Sequence, residues 1–280
     1  MLIGSPRRQL GFSIMELAVV LVIVALLLGG LLVPLGAQRD VEFTRATEKS
    51  LADIREALIG FAAINGYLPC PAQASVANGA ANAGIEARDP TSLNCACATT
   101  TSPGVATVGS TQCALTSSSD SVGGVLPWAT LGLLERDAWA NRYTYHVGTF
   151  YARSINPVPT DFDCTPLTTP TNAVFAPCTL GAIAINTAAS GGTAVVDVGA
   201  AVAVVVSHGG SGQGAYTTQG TQLPVDADDS NAAENVKRAA KRENSDGDTT
   251  FVSNTTIDDR LVWISRSQLM NRMMSAGRLP

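Results

Sequence analysis

Nineteen consecutive residues, Leu17 to Leu35, carry no charge. A helix rises about 1.5 Å per residue, so such a run crosses a bilayer core of roughly 30 Å. Few folds can absorb it. A helix buried in a water-soluble core keeps some polar residues on one face, and this run has none. A secretory signal has a shorter apolar core and a small-x-small cleavage site. Here the nearest candidate, Leu35-Gly36-Ala37, puts a large residue where a small one is needed. Arg7 and Arg8 are the only charges in residues 1–11, which places that leader in the cytoplasm and everything after Leu35 outside the inner membrane. An acid, Glu16, stands at the edge of the span, where an ionisable side chain is costly and usually has a task.

The junction before the run is equally specific. Gly11-Phe12-Ser13-Ile14-Met15-Glu16 joins a short basic leader to the apolar stretch. A leader ending in Gly, then Phe, then an acid five residues into the new terminus, resembles the processing signal of type IV pilins and type II secretion pseudopilins. The resemblance implies cleavage after Gly11 by a prepilin peptidase and N-methylation of Phe12. It also implies assembly with other pilin or pseudopilin subunits on an inner-membrane platform. Cleavage would leave a positive amine on Phe12. A carboxylate on Glu16, one turn on, gains roughly 0.3–1 kcal/mol from the positive end of the helix. It could also pair with the amine of a neighbouring subunit in an apolar bundle, where an unpaired charge is heavily penalised.

Beyond the span, Leu51, Ile54, Leu58 and Phe61 recur on one helical face. Asn65-Gly66 followed by Pro69 stops the helix. Pro34 kinks such a helix rather than ending it. The expected divisions are therefore a leader at 1–11, a membrane helix at 12–35, its continuation at 36–66 and a head at 67–280. The fold class is α+β: a long N-terminal helix packed on an antiparallel sheet, pilin-like, with long loops at 71–121 and 154–178. Length and loops suggest a minor subunit.

Charge and cysteines bound what the head does. The net charge is −5, with 18 basic and 23 acidic residues, and loss of Arg7 and Arg8 takes it to −7. No nucleic-acid partner is expected from that balance. Cys70, Cys95, Cys97, Cys113, Cys164 and Cys178 read as disulfide candidates in an extracytoplasmic domain. Their connectivity is open, with Cys164–Cys178 the best local pair. Cys95-x-Cys97 lacks zinc spacing and a nearby His.

Three further stretches carry candidate chemistry. Asp137-Ala138-Trp139-Ala140-Asn141-Arg142-Tyr143-Thr144-Tyr145 looks like the Asp-x-Trp-Gly-x-x-Tyr-x-Tyr hairpin of major pseudopilin heads, with Ala140 in the glycine position. Arg142 onward alternates as a strand, and 179–186, 199–207, 249–254 and 260–264 read as further strands, the last two as a closing hairpin. Ser265 is placed to cap a short C-terminal helix with Leu269, Met270 and Met273 inward. Ser207-His208-Gly209-Gly210-Ser211-Gly212 follows the most apolar strand. A glycine turn is the main reading there, and a periplasmic hydrolase built on His208 with a nearby Ser and Asp is the rival. Asp226, Asp228, Asp246 and Asp248 cluster with a glycine turn in a manner that suits calcium, the one candidate cofactor. An acidic solvated loop is the competing reading. A pilus-tip adhesin or DNA-uptake receptor would use the loops of the head.

Overall fold

The computed structural model describes residues 13–89, 92–96, 121–155, 169–187, 194–224, 250–253 and 258–279, without the side chains of 27–37 and 196–200. The chain divides into two compact units, Met1–Phe43 and Thr44–Pro280. Helix α1, Ile14–Asn65, is 52 residues long and runs through Pro34 without ending there. Among the described residues no helix is long and apolar enough to cross a membrane. The described apolar part is 14–26, and the remainder of the run lies among the side chains that are not described.

The second unit is α+β. Its strands are β1 (Ser121–Val125), β2 (Thr144–Gly148), β3 (Ile183–Asn186), β4 (Ala194–Ser207), β5 (Thr250–Val252) and β6 (Arg260–Ser265). They form one sheet in the order β1-β2-β4-β3-β5, with β6 also paired to β4. A one-turn helix α2 covers Trp128–Leu131, and α3 covers Arg266–Ser275. β4 is the hub because its Val/Ala-rich length pairs antiparallel with β2, β3 and β6. The closing hairpin expected from 249–254 and 260–264 does not form. β5 instead pairs with β3, and in parallel, so the sheet is mixed rather than wholly antiparallel. Alternation marks a strand but is silent about its neighbour, which packing decides.

The helical stripe is legible in the packing. Leu51, Ile54 and Leu58 are buried in one core with Tyr145, Val147, Val205 and Ile264 of the sheet, while Phe61 is half-buried and packs edge-on against Tyr67. Burying each such side chain contributes roughly 1.5–3 kcal/mol before entropy is subtracted. The opposite face is also buried: Val204, Val206, Ile183, Ile185 and Phe251 form a second core. α1 stops where expected. Gly66 takes φ +82, and a Cβ there would lie 2.2 Å from the Asn172 carbonyl oxygen. The last carbonyls find donors. Gly66 N–H donates to Ala62 O at 2.7 Å. Arg278 donates through Nε to Ala63 O at 2.9 Å and through a terminal nitrogen to Ile64 O. Ser265 caps α3 in a reciprocal box with Gln268.

A disulfide joins Cys70 to Cys95, a separation of 25 residues. Closing a loop of that size restrains the unfolded chain by about 3.5 kcal/mol in the entropy model. Cys178 is also disulfide-bonded, while Cys97, Cys113 and Cys164 lie outside the described residues.

β1 is absent from the sequence reading because Ser121-Val122-Gly123-Gly124-Val125 is poor in strand formers. The fold requires a glycine there: a Cβ at Gly123 would sit 2.2 Å from the His146 ring on the paired strand. Gly123→Ala is therefore expected to lower stability by about 1–3 kcal/mol, the usual cost of overpacking, in chemical denaturation. Ala140 holds φ +69 in the left-handed region. Ala140→Gly is expected to raise stability by about 1 kcal/mol in the same measurement. An unchanged midpoint would remove the strain argument.

Candidate functional site

The first site is the start of α1. Ser13 is the residue before the helix. Its hydroxyl accepts from Met15 N–H at 3.3 Å, and its own N–H donates to Glu16 Oε2 at 3.1 Å. Two donors that a helix leaves unpaired are thus satisfied within one turn. Glu16 is exposed, so its carboxylate is open to exchange this contact for another cation. Along the same helix Ile14, Met15, Leu17 and Leu26 are 88%, 77%, 58% and 72% exposed. A contiguous apolar surface of this kind requires lipid or other helices to cover it. Gly11 and Phe12 lie outside the described residues.

The second candidate is the turn after β4. His208 is wholly buried. Its Nε2 is 2.8 Å from Thr144 Oγ1 on β2, and its Nδ1 is 3.9 Å from Asp259 Oδ1. Burial lowers its pKa to about 4, outweighing the pull of Asp137 and Asp258. The ring is therefore neutral at pH 7, and its approach to Asp259 is no ion pair there. Neither nearby serine uses the ring. Ser207 Oγ–H donates to Asp137 Oδ2 at 2.6 Å. Ser211 Oγ–H donates to Asp258 Oδ1 at 3.2 Å, and its backbone N–H donates to Oδ2 of the same residue at 2.6 Å. A general base must reach the proton that it takes. In this arrangement the histidine, serines and aspartates hold the turn.

Asp137 anchors the third stretch. Its Oδ1 accepts from Trp139 N–H at 3.0 Å and Asn141 N–H at 2.9 Å. This wraps the turn and puts Ala140 at positive φ. Burial raises the Asp137 pKa, and the Ser207 hydrogen bond opposes that shift. Five residues on, Arg142 is fully buried. Its Nε and one Nη donate to Glu135 Oε1 at 2.9 and 2.8 Å. The remaining donors reach Ala74 O, Val76 O and Thr218 O at 2.9, 2.8 and 3.0 Å. All five N–H groups are thereby used. The guanidinium also lies over the Trp128 ring, 4.7 Å from its centroid. Sequence reading placed Arg142 in a strand and gave it no role; an arginine inside an alternating apolar stretch was the available signal.

Asp226, Asp228, Asp246 and Asp248 lie outside the described residues. Among the described residues no group of three or more His, Cys, Asp or Glu side chains is arranged to hold a metal.

Residues 6–32 match the model of the prokaryotic N-terminal methylation motif. This is the type IV pilin and pseudopilin signature. The signature spans residues 6–11, the Gly11–Phe12 junction, Glu16 and most of the apolar run, and it implies processing by a prepilin peptidase and assembly with other pilin subunits. No curated protein and no solved structure matches the chain.

Removal of Arg142 would strand Glu135 and three backbone carbonyls, of which that of Ala74 is buried. Arg142→Ala is expected to cost about 3 kcal/mol or more, as for other broken buried pairs. Arg142→Lys should recover only part of that, because an ammonium cannot serve three stretches of chain in one plane. Denaturation midpoints of the two variants check both expectations.

Proposed function

We propose that the chain is a structural subunit, a minor pilin or pseudopilin, of a type IV pilus or type II secretion filament. The signature at residues 6–32 carries this reading. The leader would remain in the cytoplasm while 12–35 crosses the inner membrane and the head folds in the periplasm. A prepilin peptidase would cut after Gly11 and methylate the new amine of Phe12. The subunit would then leave the lipid and enter a filament, exchanging lipid contacts for contacts with the apolar helices of its neighbours.

The start of α1 supports this sequence of events. Before cleavage Glu16 has the Ser13 N–H as partner. After cleavage a positive amine lies within the same turn. In an assembled bundle the carboxylate would turn to an amine of the next subunit, where water no longer competes and pairing is most valuable. The exposed apolar residues 14–26 would be covered at every stage, first by lipid and then by other helices. A minor subunit is favoured by the long loops of the head, which would project different chemistry from that of a major subunit.

Intact-mass analysis of the membrane-extracted chain, with and without the peptidase, tests the reading. The expected product begins at Phe12 and carries one extra methyl. A chain that keeps residues 1–11 in the presence of active peptidase would sink it. Glu16→Ala is expected to be processed yet to enter purified filaments at least tenfold less well. Abundance equal to that of the major subunit would remove the minor assignment.

A further inference from the structure

The chain contains two histidines, His146 and His208. They are 3% and 0% exposed. β2 sends Tyr145 and Val147 into the core shared with α1, so Thr144 and His146 point to the opposite face. His208 reaches that face through its bond to Thr144. Both rings leave Nδ1 buried with no hydrogen-bond partner among the described residues. His146 packs edge-on against Phe251 of β5, with ring centroids 5.0 Å apart, and against Gly123 of β1 on the other side. Imidazoles so placed have no water to solvate a second proton.

We propose that His146 and His208 together form an acid-sensitive latch that holds β2, β4 and β5 closed over the second core and releases them on protonation. The groups facing His208 are Asp137 from the turn before β2, and Asp258 and Asp259 ahead of β6. Arg260 of β6 turns its guanidinium to Glu48 and to the carbonyls of Asp258 and Asp259. Facing His146 are Gly123, Val204 and Phe251, with His208 the one ionisable group among the described residues that acts on it. Among the described residues no carboxylate is therefore set to receive a proton-bearing His146. The latch is independent of the N-terminal processing.

The direction of the pH effect follows from burial. Burial lowers both pKa values from 6.5 to about 4. The closed state therefore binds protons more weakly than the open one. Stability is complete above pH 6.5 and falls as pH drops towards 4, with no further loss from these groups below that. Asp137, whose pKa is raised, changes in the opposite sense. A comparison of variants at the histidines alone separates the two effects.

The test uses the untagged full chain in detergent. With only two histidines, their ring C–H resonances are directly assignable by pH titration. Both are expected to remain neutral down to about pH 5 in the folded head. Amide-exchange protection in β2 and β4, corrected for intrinsic rate, is expected to fall about sixtyfold per histidine between pH 7 and 4.5. His146→Phe combined with His208→Gln should shrink that fall at least tenfold. A ring that titrates near 6.5 in the folded head, or protection unchanged down to pH 4.5, overturns the latch. So does an equal fall in the double variant. If that variant does not fold, the wild-type titration and exchange decide alone.

Discussion

Arg142 must pair five N–H donors once it leaves water, and it pairs them on three separate stretches of chain. Two of its donors converge on Glu135, and the others take Ala74, Val76 and Thr218. A buried charge tolerates no missing partner, so none of those stretches can move without loss. The loop after Cys70, the turn before β2 and the loop after β4 are therefore fixed relative to one another. The Cys70–Cys95 bridge closes the first of these loops independently. Much of this region is poor in large apolar residues, and polar satisfaction does the work that packing does elsewhere.

The neighbouring Asp137 ties the same turn to the hub strand. It receives Ser207 from the end of β4 and two N–H groups of its own turn. Thr47 of α1 accepts from Ala138 N–H at 3.4 Å, so the helix is tied to the same turn. The segment that resembles the pseudopilin hairpin thus joins helix, turn and sheet. Its departure from the family pattern, Ala140, falls where the backbone is left-handed. A glycine accepts that conformation without steric cost, while alanine does not.

His208 shows how a motif is reread in three dimensions. In sequence, Ser-His-Gly-Gly-Ser beside distant aspartates permits a nucleophile. In the structure the imidazole faces a threonine hydroxyl in a dry interior, and both serines are bound to carboxylates. The same burial gives the two histidines their response to acid.

The N-terminal signature and the helical stripe were legible because both are local. Leader, junction, acid and apolar run are adjacent in sequence, and Leu51, Ile54 and Leu58 repeat with the period of the helix they form. The stop at Asn65-Gly66 and the Ser265 cap were legible for the same reason, since a helix end is set by a few neighbouring residues. Strand partners were not. β5 pairs in parallel with β3, β1 exists despite two glycines, and Arg142 finds acceptors tens of residues away. Those outcomes depend on which distant surfaces meet, and a one-dimensional period carries no such information. The sequence by itself determined that the chain carries an N-terminal methylation signature running into an apolar helix; the tertiary structure decided how the head closes around a buried arginine and two neutral histidines.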